Sequence, residues 1–283
     1  MTVRPPSLTP AEADAIAAEF LLAHTRAERR RRRIGVMLNI LGVLIFFGLW
    51  ELLPRIGTVL NPVLFPPPSK VLATAFPMIL SGEIPYNILV SLGRAGTGFA
   101  IAACLGVMVG VATARIVVVR ELIEPLLHGL RSLPVIALVP VSVLWFGIGE
   151  GAKVALVATG AFFPIWINTF IGVRDVHQVY LRSAACLGAN RLQTLRFIIL
   201  PASLPFIIAG MRQGIAVALI VLVAAELAGA RAGVAYMMSM GHQLFRVDIM
   251  FAGLILLGAL GYTCDRLFVA LCRRIFPWYR PSA

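Results

Sequence analysis

At 283 residues, 59% hydrophobic and 13% charged, with a mean hydropathy of +0.90, the chain carries more apolar surface than a soluble domain of this size can bury. It reads as an all-α polytopic membrane protein. The balance of 25 Lys and Arg against 13 Asp and Glu gives a formal net charge of +12, yet its placement follows a membrane topology and excludes a nucleic-acid role. With the N-terminus inside, 16 basic residues fall in inner segments, among them Arg29 to Arg33, Arg174, Arg182, Arg191, Arg273 and Arg274. Outer segments receive 6: Arg55, Lys70, Arg94, Lys153, Arg231 and Arg246.

Residues 1–33 form an inner tail. Thr9 as N-cap, Pro10 in the first turn and Glu12 three residues on open a short helix, with Ile16, Phe20 and Ala23 on one face. That face can rest on membrane lipid or a partner, or the helix can serve only to anchor the topology. No cleavable signal peptide is visible, because the first long apolar run begins at Ile34 behind five arginines.

The transmembrane domain spans residues 34–272. Its apolar runs are Ile34–Leu53, Gly96–Ala114, Leu133–Phe146, Val154–Phe170, Leu204–Leu227 and Ile249–Leu271. A crossing takes roughly 20 residues, so six spans are expected, or five if the short Leu133–Phe146 run, interrupted by Pro134 and Pro140, is not one. Residues 54–93 read as an outer segment, with Ser69 capping a short interfacial helix. Gly96, Gly106 and Gly110 form a small-residue packing face in the second run. The tail 273–283 returns inside, so both termini are cytoplasmic.

Between the fourth and fifth runs, residues 174–202 carry a polar, Arg-bearing insert. Val176–Leu187 has helical propensity, and Gly188 supplies the left-handed residue that ends a helix. Asn190 then caps a second helix with Gln193 at the capping-box position, and Leu192, Leu195 and Ile199 fall on one face. The small side chains of Ser183, Ala184, Ala185, Gly188 and Ala189 leave a low-relief surface suited to a partner's groove.

Here the sequence resembles the permeases of binding-protein-dependent ABC importers. Their cytoplasmic motif runs Glu-Ala-Ala, three residues, Gly, nine residues, then Ile-x-Leu-Pro. Gly188 followed by Ile198-Ile199-Leu200-Pro201 matches the second half. In the first half Arg182 stands at the Glu position, reversing its sign, with Ser183 and Ala184 at the Ala positions. Leu133-Pro134, Leu144 through Glu150, Phe163-Pro164, Ala225-Glu226 and Gly261-Tyr262 through Asp265-Arg266 are similar to the nitrate, sulfonate (taurine) and bicarbonate branch. The resemblance implies a bacterial inner-membrane homodimer of the type I importer fold, with two ATP-binding cassette subunits and a periplasmic substrate-binding protein. It assigns Arg182, Ser183, Ala184, Ala185, Leu187, Gly188, Ala189 and Arg191 to contact with the ATPase subunit.

No catalytic site is expected on this chain, and no metal or cofactor. Neither lysine sits in a Gly-x-x-x-x-Gly-Lys-Ser/Thr loop, so if ATP drives transport, as the resemblance implies, a partner subunit must bind the ATP and Mg²⁺; His24, His128, His177 and His242 are scattered. Charges inside spans are functional candidates by default. Arg212 and Glu226 lie roughly 21 Å apart along one helix and within about 40° of one face. They either line a substrate pathway, with Gln213 and Asn168 beside them, or snorkel to the two interfaces. Asp265 and Arg266 are expected to bond a neighbouring helix. Glu150 and Lys153, in a short outer turn, either contact the docking binding protein or serve solubility. An ion-coupled secondary transporter or channel is the alternative, but it needs carboxylates within the spans, and Glu226 and Asp265 are nearly the only ones.

Overall fold

Apolar runs of this length fold as helices because lipid offers the backbone no hydrogen-bond partner, so each amide must bond within its own segment. The computed structural model describes the backbone of residues 10–56 and 61–276 and the side chains of residues 31, 34–56 and 61–276. The Thr9 cap, the Ile16–Phe20–Ala23 face and residues 277–283 of the inner tail lie outside the described residues. The chain divides into two units, Met1–Ser69 and Lys70–Ala283.

In the first unit, α1 (Pro10–Ile56) is a single helix of 47 residues, with the first candidate span at Ile34–Ile56. The tail helix and the first span are therefore continuous. Near the end of α1, Glu51 pairs with Arg55 and accepts hydrogen bonds from Ser69 N–H (3.0 Å) and Ser69 Oγ (2.7 Å), while Trp50 Nε1 donates to Pro66 O at 3.2 Å. These contacts, with Phe46 and Phe65 around the Trp50 ring, fold residues 61–69 back along the helix end.

A short apolar helix, α2 (Pro68–Leu80), follows. In the second unit three long helices make the core: α3 (Glu83–Arg115), α6 (Glu150–Arg174) and the continuous run Arg191–Leu227. The α3 seam is built of small residues one turn apart, Gly98, Ala102, Gly106 and Gly110, and it faces Val157, Ile165 and Thr169 of α6. A Cβ on Gly106 would lie 2.8 Å from Ile165 Cγ2, and one on Gly110 would lie 2.7 Å from Thr169 Cβ, so these backbones approach as closely as small residues permit. Gly96 has open space around it and is not part of the seam. From the other side, Gly210 and Gly214 pack on Asn168 and Ile165.

The third apolar run forms the second half of a sharply bent helix pair. Helix α4 (Val117–Arg131) meets the 3₁₀ turn Val135–Leu138 and α5 (Val139–Phe146) at 90°. Among the described residues, five helices are thus long and apolar enough to span a membrane, or six with the bent pair counted as one. Pro134 and Pro140 remove two backbone donors there, which is why the run cannot continue as one rod.

Helix α3 begins 13 residues before the expected Gly96 start, after Gly82 in a left-handed conformation (φ 82°). Asn87, Ser91 and Arg94 depress the hydropathy of this stretch, yet they sit at i, i+4 and i+7 and share one helix face. Arg94, expected in an outer loop, is thereby placed in a helix and buried, only 5% exposed.

Helices α7 (Gln178–Cys186) and α8 (Arg191–Thr194) follow α6. A π-helical turn, Leu195–Ile199, joins α8 to α9 (Leu200–Leu227). Pro201 has no N–H to offer Phe197 O and its ring crowds that carbonyl; the wider turn relieves this. It also shifts the helical phase, so Leu195 and Ile199 pack inward while Leu192, expected on the same face, is exposed. Helices α10 (Val234–Gln243) and α11 (Val247–Ile275) are the last of the described residues' helices.

Candidate functional site

Two ends of the bundle carry polar chemistry. At one end lies the α7–α8 turn. Gly188 has φ 73°, its N–H donates to Ala185 O at 3.0 Å, and Ala189 N–H donates to Ala184 O at 3.0 Å, a Schellman closure that satisfies the last carbonyls of α7. Asn190 Oδ1 accepts from Gln193 N–H and Gln193 Oε1 accepts from Asn190 N–H, both at 2.8 Å, completing the capping box. Val176, Leu181, Leu195 and Ile199 anchor the turn against Ala114, Phe170 and Val173 at the ends of α3 and α6.

Of the eight residues assigned to the partner contact, Arg182, Ser183, Ala185, Leu187, Gly188 and Arg191 are exposed and Ala189 is half-buried. Ala184 is buried at 2% exposure, because it sits on the α7 face that packs against its own chain; it cannot touch a partner. Leu187, at 87% exposure, is the most prominent apolar side chain of the turn.

A little deeper at the same end, Arg212 of α9 forms a bidentate ion pair with Asp265 of α11, Nε to Oδ1 at 2.8 Å and Nη2 to Oδ2 at 2.9 Å. Asn168 of α6 donates to Gln213 Oε1 at 3.2 Å and to Pro164 O at 2.8 Å. Arg212 and Asp265 close one end of a largely apolar groove of about 400 Å³ between α9 and α11. Asp265 thus bonds a neighbouring helix, as expected, whereas the Arg266 guanidinium lies over the Tyr262 ring of its own helix, 5.0 Å from the centroid.

The opposite end holds a denser network. Arg94 Nη1 donates to Glu226 Oε1 (2.8 Å) and to Ala232 O (2.6 Å), while its Nε and Nη2 form a fork on Glu150, the latter at 2.8 Å. Glu226, 1% exposed, also accepts from Ser91 Oγ (2.7 Å) and from Ala235 N–H (3.0 Å). Asn87 Oδ1 accepts Gly233 N–H at 2.7 Å and Ser91 Oγ accepts Val234 N–H at 2.9 Å. The first amides of α10 are therefore capped by side chains from α3 and α9, and the Glu226 carboxylate lies at the positive end of that helix. Gly233 (φ 123°) is required here, because a Cβ would run into the Glu226 carboxylate. Past the other end of α10, Arg246 pairs with Asp248 at 2.8 Å, which holds the guanidinium above its ordinary pKa through that hydrogen bond.

Two expectations are corrected by this network. Glu226 does not share a polar stripe with Arg212: it is sealed among α3, α9 and α10 with both oxygens engaged, whereas Arg212 is half-exposed towards α11. Lys153 is not available to a docking protein. Its Nζ turns inward, donating to Ile148 O and Gly149 O at 3.2 Å each and lying 3.5 Å from Glu150. Glu150, with its side chain 63% exposed, remains accessible. Sequence reading missed Arg94, Ser91 and Asn87; their i, i+4, i+7 spacing was the available signal. Among the described residues no group of three His, Cys, Asp or Glu is placed to hold a metal ion.

The arrangement of helices is shared with a crystal structure of an amino acid ABC transporter with histidines, at a TM-score of 0.53 and 13% identity, covering 74% of this chain and 97% of that one. Residues 102–277 match the model of the binding-protein-dependent transport system inner membrane component. The chain belongs to that family. Among its relatives, the aliphatic sulfonates transport permease protein SsuC of Bacillus subtilis is 35% identical over 253 residues, 89% of this chain and 91% of the relative. The taurine transport system permease protein TauC of Escherichia coli is 34% identical over 225 residues, 78% and 82% of the two chains. The chain is thus a multi-pass inner-membrane permease of the ABC importer class. Membership implies ATPase and substrate-binding partners and a dimer.

Proposed function

We propose that this permease moves small sulfonates, taurine among them, into the cell, with nitrate and bicarbonate as the competing cargo classes of the branch. The observation that carries the cargo assignment is its likeness, over most of its length, to the sulfonate and taurine permeases. Both termini lie in the cytoplasm, which puts the α7–α8 turn on that side. The charge distribution supports this: Arg115, Arg174, Arg182, Arg191, Arg196 and Arg273 gather at that end, whereas Arg94 and Lys153 at the other are buried beside carboxylates.

In this reading a binding protein delivers the anion from the periplasm, and two copies of the chain enclose the pathway. A pair of ATP-binding subunits, which hold the ATP and Mg²⁺, seats on Arg182, Ser183, Ala185, Leu187, Gly188, Ala189 and Arg191. Their closure moves the turn, and Val176, Leu181, Leu195 and Ile199 pass that motion to the spans because they pack directly on the ends of α3 and α6. The spans alternate between outward and inward access. Arg212, with Gln213 and Asn168 nearby, offers the anion a polar contact near the cytoplasmic exit.

The test is uptake into vesicles holding the permease, its ATPase subunits and binding protein. Wild type should accumulate taurine with ATP. Gly188→Val forces a β-branched residue into the left-handed region, at about 1–2 kcal/mol or more, and adds bulk to the docking surface. ATP hydrolysis should persist while uptake collapses. Normal uptake by the variant would defeat the coupling assignment, and nitrate uptake without taurine uptake would defeat the cargo assignment.

A further inference from the structure

Resting on the reading that the network end faces the periplasm, we infer that the outer edge of Arg94, with Lys153, is an oxyanion seat that Glu150 occupies in the absence of cargo. The cargo's sulfonate group takes the place of the Glu150 carboxylate.

Burial is asymmetric across this set. Arg94 and Lys153 are each 5% exposed, whereas the Glu150 side chain that bridges them is 63% exposed. In the Arg94–Glu150–Lys153 set, the anion is the one member that can leave for water without a large desolvation change, and the two cations cannot follow it. Arg94 is also locked from behind: Nη1 is held by Glu226 and by Ala232 O, so the guanidinium keeps its orientation whether or not Glu150 is present. Its Nε–Nη2 edge therefore stands as a preformed fork, the geometry that binds planar or trigonal oxyanions in bidentate fashion.

A sulfonate has one oxygen more than a carboxylate. Two oxygens match the fork as Glu150 now does, with Nη2 to Oε1 at 2.8 Å, and the third is left for Lys153 Nζ, 3.5 Å from that carboxylate. The seat lies at the first turn of α6, whose amide dipoles add to the attraction for an anion. Charge balance is kept in both states. Glu226 offsets Arg94, and either Glu150 or the cargo offsets Lys153.

Competition from a tethered carboxylate keeps such a seat weak, which suits a site that must receive an anion and then release it inward. A binding protein docked above the seat would supply the cargo at high local concentration.

The full-length chain in lipid nanodiscs tests this through its unfolding temperature, as sodium methanesulfonate replaces sodium chloride at fixed ionic strength. Wild type should show a small saturable rise. Glu150→Ala, and Glu150→Gln as a second form, should lower the half-saturating concentration about ten-fold, because the resident competitor is gone. Adding Lys153→Met to Glu150→Ala should reverse that gain. The seat is overturned if neither Glu150 variant gains affinity for methanesulfonate, nitrate or bicarbonate, or if Lys153→Met leaves the gain intact. A gain for nitrate alone would support the seat and overturn the sulfonate cargo instead.

Discussion

Replacing Arg94 with Met tests whether the network end is held together by a buried charge pair. The change leaves Glu226, 1% exposed, without its cation, keeping only Ser91 Oγ and Ala235 N–H, and it frees Ala232 O. Removing one partner of a buried pair costs about 3–5 kcal/mol, most of it the desolvation of the charge left behind. Glu226→Gln leaves Arg94 with the exposed Glu150 as its one carboxylate, beside Ala232 O, and should cost up to a similar amount. The double variant removes both charges and retains an amide oxygen for Ala235 or Ser91. Its cost should fall to about 1–2 kcal/mol, the value of one or two lost hydrogen bonds. Glu150→Ala provides the contrast: that carboxylate is 63% exposed and screened by water, so its loss should cost about 0–1 kcal/mol. Equilibrium unfolding in mixed micelles reads all four values. The reasoning fails if Arg94→Met costs less than about 1 kcal/mol, or if the two single costs simply add in the double variant.

Gly110→Ala should destabilise by about 1–3 kcal/mol, because its Cβ would lie 2.7 Å from Thr169 Cβ and 3.0 Å from Trp166 O, and a backbone oxygen cannot swing aside. Gly96→Ala, with open space around it, should be neutral or slightly stabilising in the same unfolding measurement. Asn190→Ala removes the acceptor of the Gln193 amide and should cost about 1 kcal/mol locally. Hydrogen exchange at Gln193 should then accelerate roughly five-fold while exchange in α6 stays unchanged.

The α7–α8 turn was readable in detail because every device in it is local. The left-handed Gly188, the Schellman bonds one turn back and the Asn190–Gln193 box connect residues no more than five apart. The phase of the second helix was not readable. It depends on Pro201 widening the preceding turn, so Leu192 faces out although a regular 3.6 period would turn it inward. Lys153 misled for a different reason. It lies in the first turn of α6 and not in the short outer turn expected for it, so its four-carbon stem reaches back to the carbonyls of Ile148 and Gly149.

By itself the sequence determined the class of the protein, the number of crossings within one, and the α7–α8 turn. Apolar length and local capping chemistry suffice for these. Only the tertiary structure decided the charge network, since Arg94 meets Glu150 and Glu226 across 56 and 132 residues of chain. A scan for apolar runs ends α3 where its polar face begins. Packing against α6, α9 and α10 makes that face the interior, because Arg94 and Glu226 can leave water only where each finds the other.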